Sequence, residues 1–292
     1  MYYIYVSLGF EYGSHPPVTD EDIANQTVTI YRKFEDSVYQ STMMPSRYYF
    51  ENEYLQNKVK YIQDLLLETS LNGDSFMFIT DEHWQVNAKN SPMLANYIKE
   101  TTGISKIFSG GDRDSDGYNS TVPNLFRRAL GNDNYFPAAG NHDFGMDYGD
   151  AKRIYAGSFI HLADNPNVHW GDAGNLYYYV NNSVQKIRYI VLQAFEPNST
   201  KEGLNVTIKY DDKQLEWLKN EALEVDDGWT VFIFSHVVVY GNDYTKKFSV
   251  PTELPGYEEL YNIIADYDGR GEIAGVLQGH GMRQCISTSV TE

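Results

Sequence analysis

The texture of hydrophobic positions along this chain changes near residue 75. Before it, residues 1–50 show no sustained period. Turn formers such as His15-Pro16-Pro17 stand beside β-formers such as Val28-Thr29-Ile30-Tyr31, and the segment reads as an extension with a few strands or an arm packing elsewhere. Residues 51–69 place Tyr54, Val59, Ile62, Leu65 and Leu66 near helical spacing. Leu71-Asn72-Gly73-Asp74 stops that helix, because Asn and Gly readily take the left-handed cap conformation.

From residue 75 short apolar runs alternate with amphipathic segments. Phe76–Ile79, Lys106–Phe108, Ile187–Ala194, Val231–Phe234 and Ile273–Leu277 are predicted strands, the last of them the final one. One helix begins at Ser91, with Pro92 in the first turn where its missing N–H costs nothing, and carries Leu94, Tyr97 and Ile98. Another runs from Thr121 to Leu130 and ends at Gly131. A third is capped by Asp211 or Asp212 and presents Leu215, Leu218 and Ala222 on one face; a fourth covers Tyr257–Ala265. Such alternation predicts an α/β domain with helices over both sheet faces. The boundary falls near residue 70: an extension with a linking helix over 1–70, and one larger domain over 71–292.

Composition narrows the function classes. At 292 residues the chain can bury a substantial core. Its net charge of -17 repels phosphate backbones and anionic lipid, so general nucleic-acid binding and membrane binding are not expected. Bound divalent cations would reverse that sign locally, leaving a single phosphate site feasible. The lone Cys285 permits no intrachain disulfide. The opening MYYIYVSLGFEYG lacks the basic start and cleavage site of a signal peptide, and a soluble protein is expected.

Five polar motifs directly follow five apolar runs: Asp81-Glu82-His83, Gly111-Asp112, Gly140-Asn141-His142-Asp143, Ser235-His236 and Gly279-His280. Ligands of open α/β sheets bind outside the carboxyl ends of the strands, so these motifs can meet at one rim. Asp81 and His83 alternate along an extended segment and therefore share a side. Taken singly, each motif also reads as a turn cap, a Gly-Gly-Asp turn or a core histidine satisfied by its neighbours. Their joint order points to a metal site. Mixed nitrogen and carboxylate donors suit Mn²⁺, Fe or Zn²⁺ better than Ca²⁺.

The order D-x-H … G-D … G-N-H-D … H … G-H, over roughly residues 75–285, resembles the calcineurin-like metallophosphoesterase family. The resemblance implies two mixed β-sheets in a sandwich flanked by helices, with two divalent metal ions at the strand ends. It implies that Asp81 and His83 hold the first metal, that Asp112 bridges both, and that Asn141, His236 and His280 complete the second. His142 would stay off the metals and face the substrate, acting with Asp112 in catalysis. The implied reaction is hydrolysis of a phosphomonoester or phosphodiester by a metal-activated water. Asp143 is expected to orient the His142 imidazole, and Arg113 to be a surface residue or a phosphate contact.

The sequence departs from the family pattern in its last motif, where the second histidine of G-H-x-H is Met282. A neutral thioether matches Mn²⁺ or Zn²⁺ poorly, so a weakened first site is expected, with water or Gln284 filling in. Weakened catalysis follows, and with it an alternative: a degenerate module of this fold with a structural or surface-binding task. The chain runs 12 residues past His280, where members of that family usually add further strands, so the domain is expected either to be closed by other means or to be C-terminally incomplete. Asn87 to Ser91 and the following helix resemble phosphoesterase-type domains of phage tail proteins, implying membership of a larger assembly. Asp112 to Gly117 copies the opening of a calcium loop, but its twelfth position is Pro123 rather than Glu, so calcium is not expected there.

Overall fold

Side-chain alternation in the first strands decides the layering. The structure, a computed structural model, describes residues 53–68, 74–83, 91–113, 121–144, 155–197, 206–237, 256–280 and 286–287. Expectations for residues 1–50, the helix stop at 71–73, Asn87 to Asn90, Asp114 to Gly117, Met282, Gln284 and Cys285 fall outside those residues. In β1 (Phe76–Ile79), Phe76 and Phe78 enter one core while Met77 and Ile79 enter another. The two-residue period of a strand requires this split. β2 (Lys106–Ser109) and β3 (Tyr135–Pro137) repeat it, with Phe108 and Phe136 on one face and Ile107 and Tyr135 on the other. The three strands pair in the order β1-β2-β3, all parallel.

Three helices cover the second of those faces: α1 (Glu53–Glu68), α2 (Ser91–Thr102) and α3 (Thr121–Leu130). Leu55, Val59, Ile98, Phe126 and Leu130 supply the buried contacts. α3 ends at Gly131, whose φ of 101° is open to glycine and strained for other residues.

The other face packs on a six-stranded sheet, ordered β11-β10-β9-β6-β5-β4. Its strands are β4 (Val168–Asp172), β5 (Tyr177–Asn182), β6 (Ile187–Val191), β9 (Thr230–Ser235), β10 (Glu272–Gln278) and β11 (Ile286–Ser287). β6, β9 and β10 run parallel, while β4, β5 and β11 pair antiparallel, so this sheet is mixed. A separate ribbon joins β7 (Phe195–Pro197) to β8 (Val206–Ile208). Aromatic rings fill the space between the sheets: Phe108 stacks on Phe234 at 4.2 Å, and Phe76 meets Phe232 edge-on at 5.3 Å. Each such pair adds about 0.5–1.5 kcal/mol beyond the area it buries.

Behind the larger sheet lies α4 (Asp212–Trp217), which continues as a π-helical turn over Leu218–Ala222. Asp211 is its cap, accepting from Gln214 N–H at 2.9 Å. At the other end, Arg188 Nη1 donates to the carbonyls of Glu221, Ala222 and Glu224, supplying partners that a helix C-terminus lacks. α5 (Tyr257–Ala265) follows the predicted bounds and buries Leu260.

The structure departs from the sequence reading in three places. β6 ends at Val191, before the predicted Ala194. β10 is followed by the short β11 and so is not the final strand. β4, β5, β7 and β8 were not among the predicted strands; β5 is buried along Tyr177–Val180 and shows no alternation to read. Among the described residues no helix is long and apolar enough to cross a membrane.

Candidate metal centre

The carboxyl ends of β1, β2, β3, β9 and β10 meet at one rim, and close backbone approaches make the meeting possible. A Cβ on Gly111 would lie 2.7 Å from Gly140 N and 2.8 Å from His236 Nδ1, and its φ is 98°. At Gly279 a Cβ would collide with Thr80 Oγ1 and come within 2.7 Å of Asp81 Oδ2. Only glycine lets three loops approach this closely. Backbone hydrogen bonds then tie neighbouring exits together: Asp81 N–H donates to Gly111 O at 3.0 Å, and His83 N–H to Asp112 O at 2.9 Å.

Four of the seven predicted site residues have left-handed backbones: Asp81 (φ 56°), His83 (43°), Asp112 (55°) and His280 (65°). Such conformations cost about 1–3 kcal/mol each and concentrate where surrounding structure enforces a function. They turn each strand end sharply, so that its side chain faces the rim rather than continuing the pleat.

Asp112 lies at the centre, 2% exposed. Its Oδ2 is 3.2 Å from His236 Nε2 and 3.6 Å from His83 Nε2, while Oδ1 accepts the His142 N–H at 2.8 Å. His280 Nδ1 faces His236 Nε2 at 3.2 Å, and His236 Nδ1 lies 2.8 Å from the Gly110 carbonyl, to which it donates. Donor atoms of His83, Asp112 and His142 lie within 4.8 Å of one another; so do those of Asp112, His236 and His280. The two groups share Asp112. Asn141, next in sequence to His142, has an Oδ1 that is buried and without a hydrogen-bond partner among the described residues, and His83 Nε2 is in the same state. Unpaired buried lone pairs are costly, and a cation removes the cost. The donor set therefore fits divalent metal ions.

Asp81 belongs to neither three-residue group but lies against the second. Its Oδ2 accepts from Thr80 Oγ1 at 2.7 Å and from His280 N–H at 3.0 Å. The exposed His142 turns its ring edge-on to His83 with centroids 4.5 Å apart.

Protonation follows from burial and charge. Burial alone would raise the Asp112 carboxyl, but the His236 charge and hydrogen bond, with His142, hold it well below the usual carboxylate range. Burial disfavours a charged His236, yet Asp112 lifts it to about 9. His280 is lowered by burial and by the neighbouring His236. Beneath the rim, burial pushes the Glu82 carboxyl up to about 8.

Two expectations are corrected. Asp143 does not orient the His142 ring. Its wholly buried carboxylate accepts instead from the backbone N–H groups of Asp112 (2.9 Å), Arg113 (3.1 Å) and Gly140 (2.8 Å). Nor is Arg113 a surface residue or a phosphate contact: it is 1% exposed, with Nη2 3.3 Å from Asp143 Oδ2 and Nη1 on the Ala138 carbonyl. Sequence reading also missed Phe195, whose ring lies 5.6 Å from His236 and 6.3 Å from His280. No local pattern distinguishes it from an ordinary core phenylalanine.

Comparison with known proteins gives three findings. No curated protein matches the chain. A purple acid phosphatase from yellow lupin (Lupinus luteus) seeds shares 16% identity with a TM-score of 0.45, a likeness too slight to inform the chemistry. It covers 72% of this chain, which spans 38% of that protein's chain. Residues 75–282, which hold all five motifs, match the calcineurin-like phosphoesterase family. The chain belongs to that family.

Proposed function

We propose that this chain hydrolyses a phosphate ester, mono- or diester, with divalent metal ions held at the rim. What carries the reading is the pair of donor groups that share Asp112. In this reading Asp81, His83 and Asp112 hold one ion; Asp112, Asn141, His236 and His280 hold the other. Divalent ions held there supply positive charge to the phosphoryl oxygens and acidify the attacking water. That charge also reverses, at one point, the repulsion an anionic substrate meets from a chain of net charge -17.

The residues do the rest. His142, exposed at the mouth, donates a proton to the departing alkoxide, a contribution of about 10²–10⁴-fold when positioned. Asp112 Oδ1, holding the His142 N–H, fixes where that ring starts. Met282, at the position of the second histidine of G-H-x-H, makes the Asp81–His83 site the weaker of the two.

The test is turnover of aryl phosphate mono- and diesters with Mn²⁺ added. Hydrolysis is expected in the parent chain and its loss in Asp112→Ala and His142→Ala. Parent-level hydrolysis in both variants would end the proposal.

Met282 also favours a second reading, a degenerate member serving as a structural or surface-binding module, which the resemblance at Asn87 to Ser91 would set in a phage-tail-like assembly. Elemental analysis separates them: a stable, folded protein free of metal after growth in supplemented medium supports the module.

A further inference from the structure

Outside the donor groups lies a buried cluster of ionisable side chains to which three rim loops each contribute. The β1 exit gives Glu82, the β2 exit Arg113 and the β3 exit Asp143, exposed by 2%, 1% and 0%. Arg113 spans the last two loops. Its Nη2 lies 3.3 Å from Asp143 Oδ2, its Nη1 donates to the Ala138 carbonyl and its own N–H reaches Asp143 Oδ1 at 3.1 Å. The same Asp143 carboxylate receives the N–H groups of Asp112 and Gly140. Glu82 lies in the field of Arg113, with Oε2 accepting from Ser109 Oγ at 3.3 Å.

Buried ion pairs are poor sources of net stability, because desolvation consumes most of the attraction. What this cluster does supply is geometry. Each residue of the cluster is adjacent to a donor: Glu82 sits between Asp81 and His83, Arg113 follows Asp112, and Asp143 follows Asn141-His142. A guanidinium can bond two partners in fixed directions, which an ammonium on a flexible stem cannot.

We infer that Arg113 is a positioning residue, setting the spacing of the β2 and β3 exits and thereby the affinity of the rim for metal. The inference rests on the metal-dependent reading above. It is tested by calorimetric titration of Mn²⁺ into the metal-free full chain, for the parent, Arg113→Lys, Arg113→Met and the donor variant His280→Ala, with urea melts of each. Arg113→Lys keeps a charge against Asp143 and so carries the test if Arg113→Met fails to fold. Expected is a loss of about 10–100-fold in Mn²⁺ affinity for folded Arg113→Lys, the size typical of residues that orient metal ligands. Arg113→Met should lose at least as much. Folded Arg113→Lys binding Mn²⁺ as the parent does, while His280→Ala binds weakly, overturns this inference alone. No uptake by the parent overturns the metal-dependent reading, and this inference with it.

Discussion

Asp112 Oδ2 stands 3.2 Å from His236 Nε2, so a single contact joins the exit of β2 in the small sheet to the exit of β9 in the large one. Asp112 is also the one residue common to both donor groups. Asp112→Asn keeps the shape and removes the charge. It should cost more than about 100-fold in Mn²⁺ affinity, with turnover falling in parallel, as calorimetry and aryl-phosphate hydrolysis will show.

His142 divides two roles by a simple comparison. As the proton donor, His142→Ala should lower kcat by about 10²–10⁴-fold and leave Mn²⁺ affinity unchanged. A parallel fall in affinity would instead place its ring nitrogen on the metal, beside His83 and Asp112.

Backbone approach is testable at Gly279. Gly279→Ala drives a methyl group into Thr80 and Asp81, and should destabilise the chain by about 1–3 kcal/mol while weakening Mn²⁺ binding. Gly275, within β10 four residues earlier, has open space at that position, so Gly275→Ala is the matched control with an unchanged melt. Urea denaturation of both variants reads the difference.

His161 makes acid stability pH-dependent. Its Nε2–H donates to the Tyr135 carbonyl at 2.8 Å, and burial lowers its pKa from 6.5 to about 4. The unfolded chain therefore binds the extra proton first: this contribution is complete above pH 6.5 and is lost as pH falls from 6.5 through 4. His161→Gln keeps a donor without titrating. Its melting temperature should fall less steeply over that window, by about 2 kcal/mol of stability at the acid end.

Met282→His tests whether the Asp81–His83 site is the weaker of the two. Restoring an imidazole to the last motif should raise the affinity of the second-filling Mn²⁺ by about tenfold or more and increase turnover, read by two-site calorimetry. An unchanged isotherm would show that Met282 does not limit that site.

The sequence made the rim legible because its motifs occupy strand ends, and apolar runs such as Val231–Phe234 mark those ends without ambiguity. All seven predicted residues lie at that rim, although Asp81 is outside both three-residue donor groups. What stayed hidden depends on distant partners. Arg113 looks like a surface cation until Asp143, 30 residues further on, supplies the carboxylate that permits burial. β5 stayed hidden for a different reason: both faces are covered, so Tyr177–Val180 carries no alternating pattern. β4 is interrupted by a register shift between Trp170 and Asp172, around Gly171, which breaks its period.

Anomalous scattering from crystals soaked in Mn²⁺ tests the account most directly. Two peaks are expected: a strong one between Asp112, Asn141, His236 and His280, and a weaker one between Asp81, His83 and Asp112. A folded rim with no peak within bonding distance of Asp112 would contradict it.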